Sequence, residues 1–234
     1  MKLLSALLMF LSCNVFAQKQ LVVDANAELR PISGEFNSIK VSSGIHLYIS
    51  QGNTESLAVS ASDDKEDIKT EVVNNELHIF SKGHSRFFND KNRVNVYVSV
   101  KNLEQLVISG ASDVMIAGVL DLPLLNLSLS GASVLRGTVN IKELNVRLSG
   151  ASDTKLSGTA GTINIESSGA SDVKAFDLTA QTCNVKVSGA GDVNVTVNGT
   201  ISASASGASN VFYKGPGELK VKQSSGASSI ARAD

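Results

Sequence analysis

Three kinds of side chain in this sequence stand at spacings that could do chemistry. Ser109, Ser130, Ser149, Ser168, Ser188, Ser206 and Ser225 each open the trio Ser-Gly-Ala, which invites comparison with a nucleophilic serine. Four places further on come Asp113, Asp153, Asp172 and Asp192, with Asn210 and Ser229 as polar substitutes and Val134 as a break, a pattern that could line up oxygen ligands for cations. His46, His78 and His84 are the only imidazoles, and all precede the serine series. A hydrolytic serine needs one activated hydroxyl, a base and an oxyanion hole, on a strand-to-helix turn with glycine on both sides. Seven copies without flanking glycine pairs or alternating helices do not meet that description. Repeated serines are expected instead to form hydroxyl ladders that bond backbone groups locally and on the next coil.

The elements that must position these residues follow from the spacing. Successive motif serines are separated by 21, 19, 19, 20, 18 and 19 residues, without helical periodicity. Such a period predicts an all-β fold, a parallel β-helix (β-solenoid) with ~19-residue coils, each rising by one strand spacing. The chemical character of each place in the coil supports stacking in register. Three places before the serine stand Leu106, Leu127, Val146, Ile165, Val185 and Ala203, and five before stand Leu125, Leu144, Ile163, Cys183 and Ile201, with Glu104 as the exception. Spacing by two is strand periodicity with one face turned inward. Five places after the serine the apolar column resumes with Val114, Leu135, Val173, Val193, Val211 and Ile230, interrupted by Thr154. Alanine recurs two places after every motif serine, which predicts a corner with room for only a small inward side chain, leaving Ser and Asp outside. Gly110, Gly131, Gly150, Gly169, Gly189, Gly207 and Gly226 sit where the chain must turn, with Gly118, Gly158 and Gly215 as markers of another corner. The copy at Lys220–Ser225 carries one extra residue and loses phase, as a polar end cap would.

The earlier residues read as longer, less regular strands: Ile39 to Ile49, Leu57 to Ala61, Ile68 to Val73, Leu77 to Phe80 and Val94 to Val100, with a turn at Asn74-Asn75. Ser43-Gly44-Ile45 reads as a degenerate first corner, so Gly44 joins the turn glycines. At this point the sequence resembles the head GIN domain family of exported, adhesin-type proteins of Bacteroidetes-type bacteria. The resemblance rests on Ser43-Gly44-Ile45-His46, where the family has Gly-Ile-Asn, on the strand Val94–Val98, and on the Ser-Gly-Ala-Ser-Asp copies; His46 departs from the family's asparagine. It covers about Phe36 to the C-terminus and implies a β-helical fold, an exported location and no catalytic residues.

Composition bounds the rest. Among 234 residues, 21 Lys and Arg balance 22 Asp and Glu, so no global field points to nucleic acid or an anionic membrane. Met1–Gln18 has a charged start at Lys2, an apolar run from Leu3 to Leu11 and small residues before Gln18, the pattern of a signal peptide cleaved after Ala17; the alternative is lipidation at Cys13. No later stretch is long and apolar enough to span a bilayer. The expected division is residues 1–17 signal, 18–35 lead-in and 36–234 solenoid, itself divided into an irregular 36–105 and the repeats of 106–234. Cleavage leaves Cys183 as the single cysteine, which excludes an internal disulfide and a cysteine metal cluster. Asp153, Asp172 and Asp192 should stack as solvated carboxylates repelling by roughly 0.8 kcal/mol per pair in water. A cation column is the weaker reading, because each ion needs several oxygen ligands. The basic loop around Arg86, Phe87 and Phe88 offers either binding anchors or rings folded back on the core.

No cofactor and no metal is implied, and no partner is named, a glycan or an envelope protein being the candidates. The functional expectation is an exported, non-catalytic binding or structural module of the cell envelope. Its rival is a polysaccharide-acting β-helix lyase or hydrolase, which would need acids or bases clustered in a cleft.

Overall fold

Strand-forming β-branched and leucine residues at every second place, punctuated by glycine corners, leave this sequence no helical face to bury. The computed structural model describes residues 26–61, 65–83 and 93–233, and these contain sixteen strands and no α-helix. They are β1 (Glu28–Arg30), β2 (Ser38–Val41), β3 (His46–Gln51), β4 (Ser56–Ala61), β5 (Ile68–Val73), β6 (Glu76–Ser81), β7 (Val94–Val100) and β8 (Gln105–Ile108). The repeats follow as β9 (Asp113–Leu129), β10 (Val134–Leu148), β11 (Asp153–Ser167), β12 (Asp172–Gly189), β13 (Asp192–Gly207), β14 (Asn210–Lys214), β15 (Glu218–Ser224) and β16 (Ser229–Arg232).

From β9 to β14 each strand pairs in parallel with the next, so the repeats form a β-solenoid as their period predicts. Each long strand wraps a whole coil. In β9 the buried residues are Val114 and Ile116, then Leu120 and Leu122, then Leu125, Leu127 and Leu129, and the alternation slips between these groups. The slips divide a coil into three faces. The first follows the Ser-Gly-Ala-Ser corner, the second follows Gly118 with its φ of +92°, and the third leads into the next corner. One apolar core runs from Phe36 to Ile230.

The corner itself departs from expectation. The recurrent alanines, such as Ala151 and Ala170, are exposed, while the serines after them, Ser112, Ser133, Ser152, Ser171 and Ser209, are fully buried. From the second copy onward an inward hydroxyl is tolerated because it finds a carbonyl three residues back: Ser133 Oγ donates to Ser130 O at 2.8 Å, Ser152 Oγ to Ser149 O at 3.0 Å and Ser209 Oγ to Ser206 O at 2.8 Å, whereas Ser112 Oγ in the first copy has no hydrogen-bond partner. The alanine is instead the place where its N–H continues the ladder round the bend, Ala151 N donating to Gly131 O at 2.8 Å and Ala170 N to Gly150 O at 2.8 Å. Glycine is required before it. At Gly150 the φ is +78°, and a Cβ would stand 2.7 Å from the Gly131 carbonyl oxygen.

The first section stacks in a different order from its sequence. β2 lies between β6 and β8 and β3 between β7 and β9, all in parallel, so the rung β2–β3 sits beneath the repeats and turns at Ser43 and Gly44, both with φ +71°. The segment 39–49 is therefore two strands around a corner. The rung below it is formed by β6 and β7, which come later in the chain. Between these rungs in sequence, β4 and β5 run backwards, antiparallel to β7 and β6, and β1 pairs antiparallel with β4. Asn74 (φ +51°) and Asn75 (φ +63°) make the hairpin turn from β5 to β6, the double positive φ matching a type I′ turn.

At the other end, β15 pairs with β13 through a shifted register: Ile201 faces Leu219, then Ser202 faces Val221 and Ala203 faces Lys222. The extra residue therefore places Lys222 above Ala203, the last member of the inward apolar column Leu127, Val146, Ile165 and Val185, at the last rung of the third face.

Candidate functional site

The acidic residues are held by the first face. Asp153 pairs with Val134 below and Asp172 above, and Asp192 N donates to Asp172 Oδ1 at 3.0 Å, so the three carboxylates lie in one column. They are not left to repel one another. Two places along each strand stand Arg136, Lys155 and Lys174, also in register, and Lys174 Nζ lies 3.9 Å from Asp153 Oδ2 and 3.7 Å from Asp172 Oδ2. Asp192 accepts from Asn210 Nδ2 at 2.9 Å, and Asp113 lies 3.5 Å from His46 Nδ1. A lysine bridging two carboxylates does the work a cation would do. Among the described residues no group of three or more His, Cys, Asp or Glu is placed to hold a metal ion.

Below the basic residues the same column continues through Met115 to Tyr48 and Tyr97, whose rings stack at 5.0 Å with 15° between planes. His78 Nε2 is 2.9 Å from Glu76 Oε1, and among the described residues no serine hydroxyl is hydrogen-bonded to His46 or His78. Arg86, Phe87 and Phe88 lie outside the described residues. Cys183 is buried between Ile163 and Ile201, and burial pushes its thiol up to about 12.

The third face holds what the reading of motifs passed over. Four places before the motif serine stand Asn126, Asn145, Asn164 and Asn184, one per coil. Each amide donates to the one below, Asn145 to Asn126 at 3.0 Å, Asn164 to Asn145 at 2.8 Å and Asn184 to Asn164 at 2.9 Å. The repetition that marks the apolar columns in the sequence also marks this one, at an outward place of the coil. Two residues on, Arg147, Glu166 and Lys186 follow one another up the coils, with Arg147 Nε 3.2 Å from Glu166 Oε2. The motif serines complete the face. These three columns line two adjoining shallow troughs of about 650 and 510 Å3 that share Arg147, Glu166, Lys186 and Ser204. The surface runs over five coils and offers amides, hydroxyls and charges without a positioned acid–base pair.

Residues 35–217 match the model of the family described as "Putative auto-transporter adhesin, head GIN domain". The chain belongs to the head GIN domain family. Among solved structures, a "putative adhesin" of Bacteroides fragilis is similar with a TM-score of 0.82 at 23% identity, over 90% of this chain and 98% of that one. A "putative adhesin" of Parabacteroides merdae gives a TM-score of 0.68 at 17% identity, over 90% of this chain and 98% of the other. A "Putative lipid binding protein" of Parabacteroides distasonis gives 0.67 at 18% identity, over the same shares. At these identities the likeness shows a common fold. No curated protein matches the chain. Membership accords with a non-catalytic, adhesin-like role, and among the described residues no helix is long and apolar enough to cross a membrane.

Proposed function

We propose that this head GIN protein is an exported, non-catalytic binding module of the cell envelope that holds an extended glycan along its third face. The observation that carries this reading is the trough over the amide ladder, where the same donor and acceptor recur on successive coils at Asn145, Asn164 and Asn184, with Ser202 next in the column. A polymer with a repeating unit meets repeated hydrogen-bonding groups there, and weak contacts add along its length. Export is supported by the charged start, apolar run and small residues of Met1–Gln18.

A glycan array probed with residues 18–234, beside a chain carrying Asn145→Leu, Asn164→Leu and Asn184→Leu, tests the binding. Retention of polysaccharides by the first chain and its loss in the second is expected. Equal retention by both, or shortened products released from any polymer, would overturn the reading. Mass spectrometry of the processed protein tests the export: a first residue of Gln18 is expected, and a lipidated Cys13 would replace simple secretion with anchoring.

A further inference from the structure

The third-face trough is not uniform along its length, and the differences select among polymers. Its serine column divides in two. Ser149 Oγ donates to Leu129 O at 3.4 Å and Ser168 Oγ to Leu148 O at 3.3 Å, so these hydroxyls are turned down onto carbonyls of the coil below. Higher up, Ser188, Ser204 and Ser206 line the same trough, and among the described residues their hydroxyls bond to no other group. The charges divide in the same way. Arg147 is taken by Glu166 at 3.2 Å, whereas Lys186, exposed on the next coil, has no carboxylate within ion-pair range among the described residues. The free ammonium and the free hydroxyls coincide: Lys186 lies in the trough with Ser188, Ser204 and Ser206, and Val221 opens the adjoining part as an exposed apolar surface.

Resting on the glycan-binding reading above, we propose that the occupant is an acidic linear polysaccharide, with a carboxylate of one sugar held by Lys186 and the hydroxyls of Ser188, Ser204 and Ser206. An ammonium flanked by hydroxyl donors satisfies a carboxylate's lone pairs, which a neutral hydroxymethyl group does not need. The Asn164 and Asn184 amides then meet the hydroxyls of neighbouring sugars, while Val221 covers the apolar face of a ring. Glu166 limits the affinity, because it neutralises Arg147 in the path of the same polymer.

Polygalacturonate and its fully methyl-esterified form share one backbone and differ at the carboxyl group, where a methyl ester removes the charge, so they make a matched pair of probes. Affinity electrophoresis or calorimetry on residues 18–234 should show the acid form bound about 5-fold more tightly, with the preference shrinking in high salt. Lys186→Gln should abolish the preference, and Lys174→Gln, on the first face, should leave it unchanged. Glu166→Gln should strengthen binding of the acid form several-fold by releasing Arg147, a gain that a misfolded variant cannot produce. Equal binding of both polymers, or a preference untouched by Lys186→Gln, overturns the proposal while leaving glycan binding in place. Binding of neither form overturns the acidic-polymer proposal, and retention of other polysaccharides on the array decides separately whether glycan binding stands.

Discussion

Thr154 is the one place where the inward column five residues after the motif serine carries a hydroxyl. It is fully buried between Leu135 and Val173, and its Oγ1 has no hydrogen-bond partner. Thr154→Val keeps the shape and removes the desolvated hydroxyl, so thermal or urea unfolding should show a gain of about 1 kcal/mol. Two glycines separate the causes of the corner's sequence constraint. Gly118 has φ +92° but open space around it, whereas Gly150 combines φ +78° with a carbonyl 2.7 Å from any Cβ. Gly118→Ala should cost about 1 kcal/mol from backbone strain, and Gly150→Ala roughly twice that or more, read from the same unfolding curves. Cys183 adds a pH dependence. Burial raises its thiol from 9.0 to about 12, so the unfolded chain ionises first. The stabilisation of the neutral thiol is complete below pH 9 and is lost as the pH rises from there towards 12. Maleimide at pH 8 should therefore label Cys183 only once denaturant unfolds the protein.

At the scale of elements, the two ends of the stack are finished by different devices. The lower end is closed by β4 and β5 running backwards, and the upper third-face edge by the slipped register of β15. A charged residue at an inward place of an edge strand discourages another strand from adding to it. Lys222→Val restores an apolar column over Ala203 and should make the protein associate with increasing concentration, seen as a rise in sedimentation coefficient relative to the unaltered chain. An unchanged coefficient would remove this role from Lys222. The phase slip at Lys220–Ser225 was legible from the repeat alone, but the side chain it brings to the core's end was not, because that depends on which residue of β13 each residue meets.

For the whole molecule, near-neighbour stacking makes each coil a separable unit. Deleting residues 153–171 joins Ser152 directly to Asp172, the residue that lies beside Asp153 in the stack, and so preserves the corner. The shortened chain should fold, with small-angle scattering showing a rod about 4.8 Å shorter, and should lose Asn164 and Glu166 from the trough. A chain that fails to fold would show that the coils are not independent. Among the described residues the third face offers repeated shallow troughs spread over several coils, so the proposed binding should strengthen with the length of the ligand.

The stacking period, the inward apolar columns and the places of the turning glycines belong to the sequence alone, because each coil sits on its neighbour at the same phase and chemical character must then repeat. Three things were decided by the tertiary structure. The corner's second serine, not its alanine, turns inward, and at Ser133, Ser152, Ser171 and Ser209 a carbonyl three residues back receives its hydroxyl. The first rungs are laid down out of order, because pairing partners for β2 and β3 are chosen in space and not along the chain. The acid column is neutralised by Lys174 and capped by Asn210, whereas free donors remain on the third face. Periodicity shows which residues share a column; only the packed coils show which of them already have partners.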